Sequence, residues 1–292
     1  MKLGDYFSAT RLQTGARGLS FELFPPKKAE LLPGLLKTVE ELQRFKPDFF
    51  TCTYGAGGAT RSGTLSLLET LKKNYNLKIA SHLTCVGSTM DQLRSYLSDA
   101  KSIGVDYIVA LRGDPPKGQT EFQQTEGGLR YANELVAMLR REYPDFGILV
   151  AGYPEVHQEA PSAEVDLDNL KRKVDTGADV VVTQLFYNNE DFYRFRDLCE
   201  KAGIKIPIVP GVLPVISLAS IQRIASLCKA ALPKDFVDEL AKSDQDDWQF
   251  KVGTEFATRQ VADLMQSGIP GIHFYVLNSS RATSKVLDAV HW

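Results

Sequence analysis

The chain has 292 residues, of which 43% are hydrophobic and 24% are charged, as is usual for a soluble globular protein. Its 34 basic and 36 acidic side chains give a formal net charge of -2. This balance provides no overall attraction to nucleic acid or to an anionic membrane. We therefore expect the partners to be small molecules or further copies of the chain.

The N-terminal segment, residues 1–18, has no apolar core of the kind that marks a signal peptide. Nowhere in the chain does an apolar run approach the ~20 residues that span a bilayer. We expect a cytoplasmic protein in which this segment leads into the fold. The four cysteines, Cys52, Cys85, Cys199 and Cys228, form neither a CxxC pair nor a cluster at zinc-ligand spacing. We predict that they are reduced, buried thiols and that there is no metal site.

Short apolar runs alternate with longer amphipathic stretches along the whole chain. Several runs, such as YIVAL and DVVVTQLF, are apolar almost throughout, which is typical of parallel strands covered on both faces. The predicted strands are residues 19–24, 48–54, 79–85, 107–113, 147–153, 179–186, 206–213 and 272–278.

Amphipathic helices are predicted between these strands, for example at residues 32–44, 90–103, 129–142 and 167–176. The interval 217–270 is too long for one helix and contains Pro233, so we expect two or three helices there. Eight strands alternating with helices, in a chain close to the ~250 residues typical of the fold, favour an α/β (β/α)8 TIM barrel. No linker or low-complexity segment is visible, so we predict one domain over residues 1–292.

Polar side chains are concentrated where the predicted strands end. In a TIM barrel these ends meet at one mouth, where the chemistry takes place. The side chains concerned are Glu22, Thr53, Tyr54, His82, Thr84, Arg112, Asp114, Tyr153, Glu155, His157, Gln184 and Asn278.

Glu22 is the strongest candidate for a catalytic acid. It is flanked by apolar residues in the segment SFELFPP, and burial of a carboxyl group raises its pKa toward the range of a general acid. The alternative is an ordinary ion pair with a lysine or arginine. His82 and His157 have a similar alternative as core or rim histidines, and we expect His273, inside a strand, to be structural.

The glycine-containing turn at residues 54–58, YGAGG, follows a strand and precedes a helix. It lacks the GxGxxG spacing of a dinucleotide-binding turn, and the chain has no P-loop. Any binding of a nicotinamide dinucleotide must therefore use a different arrangement. At the end of another strand, Gly113 separates Arg112 from Asp114, which allows the backbone to approach a ligand closely.

Nine ordered segments make the chain resemble the bacterial methylenetetrahydrofolate reductases, from about residue 20 to the C-terminus. They are residues 21–26 (FELFPP), 53–55 (TYG), 82–85 (HLTC), 110–116 (ALRGDPP), 153–157 (YPEVH), 170–178 (LKRKVDTGA), 183–186 (TQLF), 210–214 (PGVLP) and 273–278 (HFYVLN). Nine segments in order at compatible spacing are far more specific than any single motif.

The resemblance implies a non-covalent FAD across the mouth of the barrel and NADH or NADPH as cosubstrate. The positions that match the flavin site are Thr53, Tyr54, His82, Arg112, Gly113 and Asp114. The positions that match the ribityl, phosphate and adenosine site are Ala132, Tyr153, His157, Ala160, Asp166, Asn169, Arg172 and Lys173. The cations Arg172 and Lys173 suit a pyrophosphate.

The same resemblance implies a ping-pong reduction of 5,10-methylenetetrahydrofolate to 5-methyltetrahydrofolate. The nicotinamide delivers a hydride to flavin N5 and leaves, and the folate then takes its place at Gln184. Opening of the folate's five-membered ring needs a proton, which Glu22 would supply. Asp114 would disfavour an anionic reduced flavin and stabilise the cationic iminium form of the folate.

The chain departs from the family after Asn278. Ser279 stands where relatives carry an arginine, and Ser220 where some carry a glutamine near the folate. We predict that Arg281 replaces the missing arginine by reaching the tail of the folate. The family resemblance also implies a homo-oligomer.

Three other functions are also compatible with these residues. One is another FAD-dependent TIM-barrel oxidoreductase of the proline dehydrogenase type, and a second is a Schiff-base aldolase that uses one of the barrel lysines. The third is a barrel without catalytic activity that serves as a binding module. A yellow protein would exclude the last two readings.

Overall fold

The computed structural model describes residues 2–54, 61–115, 118 and 122–292, and within them it has nine short strands. The strands are β1 (Gly18–Leu23), β2 (Phe49–Cys52), β3 (Ile79–Thr84), β4 (Tyr107–Leu111), β5 (Gly147–Gly152), β6 (Val180–Thr183), β7 (Ile208–Val209), β8 (Gly211–Val212) and β9 (Gly271–Tyr275). All neighbouring pairs are parallel, in the order β7-β6-β5-β4-β3-β2-β1-β9-β8. The glycine-containing turn at 55–58 lies outside the described residues.

The predicted (β/α)8 barrel is confirmed, but the seventh predicted strand, residues 206–213, is divided at Pro210. The part before Pro210, β7, pairs with β6, and the part after it, β8, pairs with β9. A proline has no N–H group to donate to a strand ladder. Because only Pro210 separates the two parts, segment 208–212 links the two ends of the sheet into a nearly closed barrel.

Helices cover the outside of the sheet. They are α1 (Ala9–Gln13), α2 (Leu32–Gln43), α3 (Arg61–Tyr75), α4 (Met90–Ser102), α5 (Ala132–Glu142), α6 (Ala163–Asp175), α7 (Asn189–Lys201), α8 (Leu218–Cys228), α9 (Lys234–Leu240), α10 (Asp246–Gln266) and α11 (Arg281–Ala289). Short 3-10 helices span Leu3–Phe7 and Ala29–Leu31. The prediction of two or three helices in the interval 217–270 is confirmed by α8, α9 and α10.

Two predicted helices begin at other residues than expected. Helix α5 begins at Ala132, three residues later than the predicted segment 129–142. Helix α6 begins at Ala163, four residues earlier than the predicted segment 167–176, because the hydroxyl of Ser162 accepts a hydrogen bond from the N–H of Val165. The earlier start carries Asp166 into the first turn of the helix.

Alternation along the strands separates two cores. Phe21 and Leu23 of β1 face the helices, whereas Phe49 of β2 and Tyr107 of β4 face the inside of the barrel. The 3-10 helix Leu3–Phe7 packs its apolar side chains into this inner core. The N-terminal lead-in therefore plugs the bottom of the barrel, and the opposite mouth holds the cavity described below.

At the bottom of the barrel, in three places, an aspartate accepts a hydrogen bond from an N–H group of the first two residues of the preceding odd-numbered strand. Asp48 accepts from Leu19 in β1 at 2.9 Å. Asp106 accepts from Ile79 in β3 at 3.1 Å, and Asp179 accepts from Ile148 in β5 at 2.7 Å. Each aspartate also forms an ion pair with a basic side chain at this end of the barrel.

The cysteines agree with the prediction at three positions. Cys52, Cys85 and Cys199 are buried free thiols. The prediction was wrong for Cys228, which is only partly buried because it lies at the end of α8 and lines the cavity at the barrel mouth. Over the described part of the chain, the longest helices are too polar to cross a membrane.

Candidate active site

A cavity of about 500 Å³ opens at the C-terminal mouth of the barrel. It brings together eleven of the residues that the sequence indicated, from six different strands or the loops that follow them. They are Glu22, Thr53, Tyr54, His82, Thr84, Arg112, Gly113, Asp114, Tyr153, His157 and Gln184. A cavity of this size at the mouth of a TIM barrel is the usual place for a small-molecule site.

Glu22 lies on the inner face of β1, where strand alternation directs it into the cavity. Its side chain is buried, and its Oε2 atom is 3.3 Å from Nε2 of His82 and 3.9 Å from Nε2 of His273. The basic partners of this oxygen among the described residues are therefore two imidazoles. Among the described residues, no lysine or arginine forms an ion pair with Glu22, so the structure does not support the alternative of an ordinary ion pair.

His82 is an uncharged neighbour of Glu22 at neutral pH. Burial lowers the pKa of His82, an effect that the nearby Glu22 carboxylate opposes and the His273 ring reinforces. Because its pKa falls below the ordinary value, His82 is neutral at neutral pH. A neutral imidazole orients the carboxyl group without supplying the permanent charge that would keep it ionised.

The inner wall of the cavity is polar on one side and apolar on the other. The hydroxyls of Thr51 in β2 and Thr84 in β3 are buried and have no hydrogen-bond partner among the described residues. Strands β4, β5 and β6 instead contribute apolar side chains: Val109, Leu111, Leu149 and Val182. Buried hydroxyls without partners in a cavity wall are available to bind a ligand.

The segment Arg112–Asp114 leaves β4 in a conformation that depends on glycine. Gly113 has a φ angle of +89°, and a Cβ atom there would lie 2.5 Å from Cγ1 of Val86. Arg112 binds both oxygens of Glu159, at 2.6 and 2.7 Å. This bidentate pair raises the pKa of Arg112 and lowers the pKa of Glu159, so both groups are charged at the edge of the cavity.

Lys173 places its ammonium group against two residues of the cavity wall, Ala151 and Tyr153. Its Nζ atom donates to the carbonyl of Ala151 at 2.6 Å and lies 5.9 Å from the centre of the Tyr153 ring. Burial lowers the pKa of Lys173 to about 8. Nearby, Asp166 accepts a hydrogen bond from the N–H of His157 at 3.0 Å, and burial raises the pKa of its carboxyl group.

Seven of the predicted site residues do not line the cavity, Asp166 and Lys173 among them. Ala132 is the first residue of α5, Ala160 lies in the loop before α6, and Asn169 and Arg172 form a hydrogen bond to each other on α6. Arg281 lies on α11 with its guanidinium 4.0 Å from the centre of the Phe250 ring. The proposed contact between Arg281 and a folate tail therefore stays a prediction.

Sequence reasoning missed three polar residues of the cavity: Thr51, His273 and Tyr275. His273, which we expected to be structural, faces Glu22 instead. The alternation in β9 carried the necessary signal, because Ile272 and Phe274 face the helices and His273 and Tyr275 face inward. Only the pairing of β9 with β1 places His273 opposite Ser20 and Tyr275 opposite Glu22.

Comparison with known proteins identifies the family. The model of the family "Methylenetetrahydrofolate reductase" matches residues 8–291. The chain belongs to this family. It is 40% identical to the 5,10-methylenetetrahydrofolate reductase of Escherichia coli (strain K12) over 265 residues, which cover 90% of this chain and 87% of that protein. It is also 36% identical to methylenetetrahydrofolate reductase (NADH) 1 of Arabidopsis thaliana, over 98% of this chain but only 50% of the plant protein.

The fold also agrees with that of a solved structure. An uncharacterized protein from Clostridium thermocellum, described as binding two copies of 5-methyl-5,6,7,8-tetrahydrofolic acid, superposes with a TM-score of 0.64 at 15% identity, covering 96% of each chain. At this identity the likeness supports the barrel fold alone. Family membership confirms the predicted oxidoreductase of one-carbon folate chemistry. It favours this reading over the proline dehydrogenase type, the aldolase and the binding module.

Proposed function

We propose that the chain reduces 5,10-methylenetetrahydrofolate to 5-methyltetrahydrofolate, with a bound FAD and with NADH or NADPH as electron donor. The observation that carries this proposal is the position of Glu22, a buried carboxyl group that faces the cavity and whose nearest basic neighbours are imidazoles. A group that must deliver a proton needs surroundings of this kind. Asp114 and Gln184 line the same cavity.

The cavity fits a flavin cofactor in three respects. The apolar wall formed by Val109, Leu149 and Val182 suits the face of a planar ring system, and Gly113 lets the backbone pack closely against Val86 at the edge of the cavity. The unpartnered hydroxyls of Thr51 and Thr84 offer hydrogen bonds. Lys173 supplies a partly buried positive charge that a carbonyl oxygen alone does not neutralise, which suits a pyrophosphate.

When bound, FAD would accept a hydride from the nicotinamide and pass it to the folate. Arg112, Gly113, His82, Thr53 and Tyr54 would surround the cofactor. Residues of the β5–α6 region would hold its ribityl, phosphate and adenosine parts: Tyr153, His157, Ala160, Asp166, Asn169, Arg172 and Lys173, with Ala132 of α5. Non-covalent binding is expected, since no cysteine or histidine lies in an attachment motif.

Glu22 and Asp114 have distinct parts in the folate step. Glu22 would donate its proton to the amine nitrogen that leaves the methylene carbon when the five-membered ring opens. The carboxylate of Asp114 would stabilise the positive charge that develops on the iminium form of the folate. Gln184 would position the pterin and, at another time, the nicotinamide. Alternating occupancy of one site implies a ping-pong order.

The simplest test uses the purified protein under anaerobic conditions. Flavin absorbance should be present, NADH or NADPH should bleach it, and methylenetetrahydrofolate should restore it with formation of the 5-methyl product. Denaturation should release the flavin. A protein that remains colourless after incubation with FAD, or a reduced flavin that methylenetetrahydrofolate does not reoxidise, would contradict the proposal.

The same titration decides between NADH and NADPH as electron donor.

We further propose a cytoplasmic homo-oligomer in which residues 1–292 act as one domain. Sedimentation of the flavin-loaded protein would test the oligomeric state.

A further inference from the structure

His273 and Ser20 form a buried pair directly behind Glu22. Ser20 Oγ lies 2.8 Å from Nδ1 of His273, and the two residues are opposite each other in the pairing of β1 with β9. The other ring nitrogen, Nε2, faces Oε2 of Glu22. Both residues are almost fully buried, at 0% and 2% exposure, so bulk water does not compete for these contacts.

Hydrogen-bond accounting selects the tautomer of His273. A buried hydroxyl that donates to no acceptor loses stabilising free energy, and Nδ1 of His273 is the hydrogen-bond partner of the Ser20 hydroxyl among the described residues. If Ser20 donates to Nδ1, the ring proton of a neutral His273 must be on Nε2. The N–H group then points at Glu22.

We propose that Ser20 holds His273 in the Nε2–H tautomer and that His273 thereby positions and strengthens Glu22 as the acid of the folate step. This inference rests on the proposed function and names two further residues that serve it. His273 does not touch the substrate and acts through Glu22, so it is a positioning residue.

The geometry assigns separate tasks to the two oxygens of Glu22. Both imidazoles face Oε2, which leaves Oε1 for a ligand in the cavity. The His273 contact of 3.9 Å exceeds a hydrogen bond, and a shift of roughly 1 Å would close it to normal length. Contacts of catalytic groups often tighten in this way when substrate binds.

The chemical consequence follows from the proton balance. As the C–N bond of the folate ring breaks, its electron pair goes to the nitrogen, which takes the proton from Oε1. Glu22 is left as a carboxylate, and the Nε2–H group of His273, which faces Oε2, stabilises that product. Because the donor stabilises the ionised form more than the acid, it makes Glu22 a stronger acid.

The other titratable groups around Glu22 stay neutral in the working range. Burial raises the pKa of Cys52 on β2 and of Cys228 on α8, and it raises the pKa of Tyr275 on β9 well above its usual value. Burial lowers the pKa of His82 on β3. These four groups therefore place no charge beside Glu22 near neutral pH.

The first test observes the tautomer directly and needs no catalysis. Two-bond ¹H–¹⁵N spectra of the full chain with labelled histidine distinguish a protonated Nε2 from a protonated Nδ1, and the His273→Gln variant assigns the signal. We expect protonated Nε2 in the unmodified protein and loss of this single tautomer in Ser20→Ala. A matched control is Ser81→Ala, which removes another buried strand hydroxyl, one that pairs with Tyr96. A protonated Nδ1 in the unmodified protein would overturn the proposal.

The second test measures the rate of flavin reoxidation by methylenetetrahydrofolate against pH. His273→Leu should slow this step about tenfold relative to flavin reduction by the nicotinamide, the effect of one hydrogen bond to a charged group. The loss of rate at high pH should move up by about one pH unit, because Glu22 becomes a weaker acid. His273→Gln, which can place an N–H near the position of Nε2, should restore much of both.

The outcomes separate the two proposals. If methylenetetrahydrofolate does not reoxidise the reduced flavin of the unmodified protein, the proposed function is wrong. If it succeeds, but His273→Leu retains the rate and the pH profile, only the role of His273 is wrong. A purely structural role would change neither the pH profile nor the response to glutamine.

Discussion

Carboxylates lie at both ends of this barrel, in opposite surroundings. At the bottom, Asp106 binds Lys72 at 2.9 Å, Lys78 at 2.6 Å and the N–H of Ile79 at 3.1 Å. At the mouth, Glu22 faces the imidazoles of His82 and His273. The same chemical group thus has lysine partners at one end and imidazole partners at the other.

The difference shows how one fold separates stability from chemistry. An ionised carboxylate with cationic and backbone partners ties adjacent strands together and holds its charge over a wide pH range. A carboxyl group that must give up a proton cannot have a lysine or arginine beside it. The comparison predicts that changes at the bottom affect unfolding, whereas changes at the mouth affect ligands and rates.

Lys173 provides the largest expected effect on cofactor binding, because it is a partly buried cation without a carboxylate partner in direct contact. Lys173→Met retains most of the stem and removes the charge. We expect the dissociation constant of FAD to rise roughly 10–100-fold, the effect of losing a charge-assisted hydrogen bond. Fluorescence titration of the flavin-free protein measures this constant. Lys171→Met, which removes a more exposed partner of Asp175, should leave it nearly unchanged.

The same variant predicts a pH effect on the flavin-free protein. The pKa of Lys173 falls from 10.5 to about 8 on folding, which corresponds to a penalty of about 3 kcal/mol at pH 7. Between pH 8 and 10.5 the folded chain loses this proton before the unfolded chain does, so the penalty disappears as pH rises. Lys173→Met should therefore be the more stable protein at pH 7, and its advantage should vanish by about pH 10.5. Urea unfolding at several pH values tests this, and an advantage independent of pH would contradict it.

Asp106→Asn should have a moderate effect, confined to stability. It leaves two lysines without their anion and weakens the hydrogen bond to β3, so we expect a loss of about 1–3 kcal/mol in the free energy of unfolding. Asp175→Asn, in an exposed pair, should cost less than about 0.5 kcal/mol. Denaturant unfolding compares the two. If Asp106→Asn instead lowered the folate rate while leaving the unfolding free energy intact, the proposed division between the two ends would be wrong.

Arg281→Ala should have the smallest effect. If Arg281 reaches the tail of the folate, its loss should raise the KM for folate roughly 2–5-fold, as for an exposed ionic contact. Turnover of NADH with a quinone acceptor should change little. Lys285→Ala is a matched control, since Lys285 also lies over the Phe250 ring. Equal KM values for the two variants and the unmodified protein would remove Arg281 from the site.

The sequence predicted those features that depend on local pattern. Apolar strand segments gave the barrel, and the polar residues that follow them, such as Glu22 and Gln184, do meet in one cavity. The predicted helix bounds were wrong where a single side chain determines the first residue of the helix. Helix α6, for example, begins early because Ser162 caps its N-terminus. The division at Pro210 arises because the two parts of one strand pair with different neighbours, which a one-dimensional pattern does not encode.

The partners of Glu22 could not be predicted for a related reason. His273 is 251 positions away in the chain, and only the pairing of the last strand with the first places it opposite Ser20. A histidine inside an apolar strand has the same local pattern whether it is structural or part of a site. Its function depends on which residue faces it across the barrel.

The most direct test of the account measures both half-reactions on one preparation of Glu22→Gln. The substitution keeps size and most hydrogen bonding but removes the transferable proton. Flavin reduction by the nicotinamide needs no acid, so this step should proceed at nearly the rate of the unmodified protein. Reoxidation by methylenetetrahydrofolate should fall by a factor of about 10²–10⁴ or more. Survival of folate reduction, or an equal fall in both steps, would show that Glu22 is not the acid.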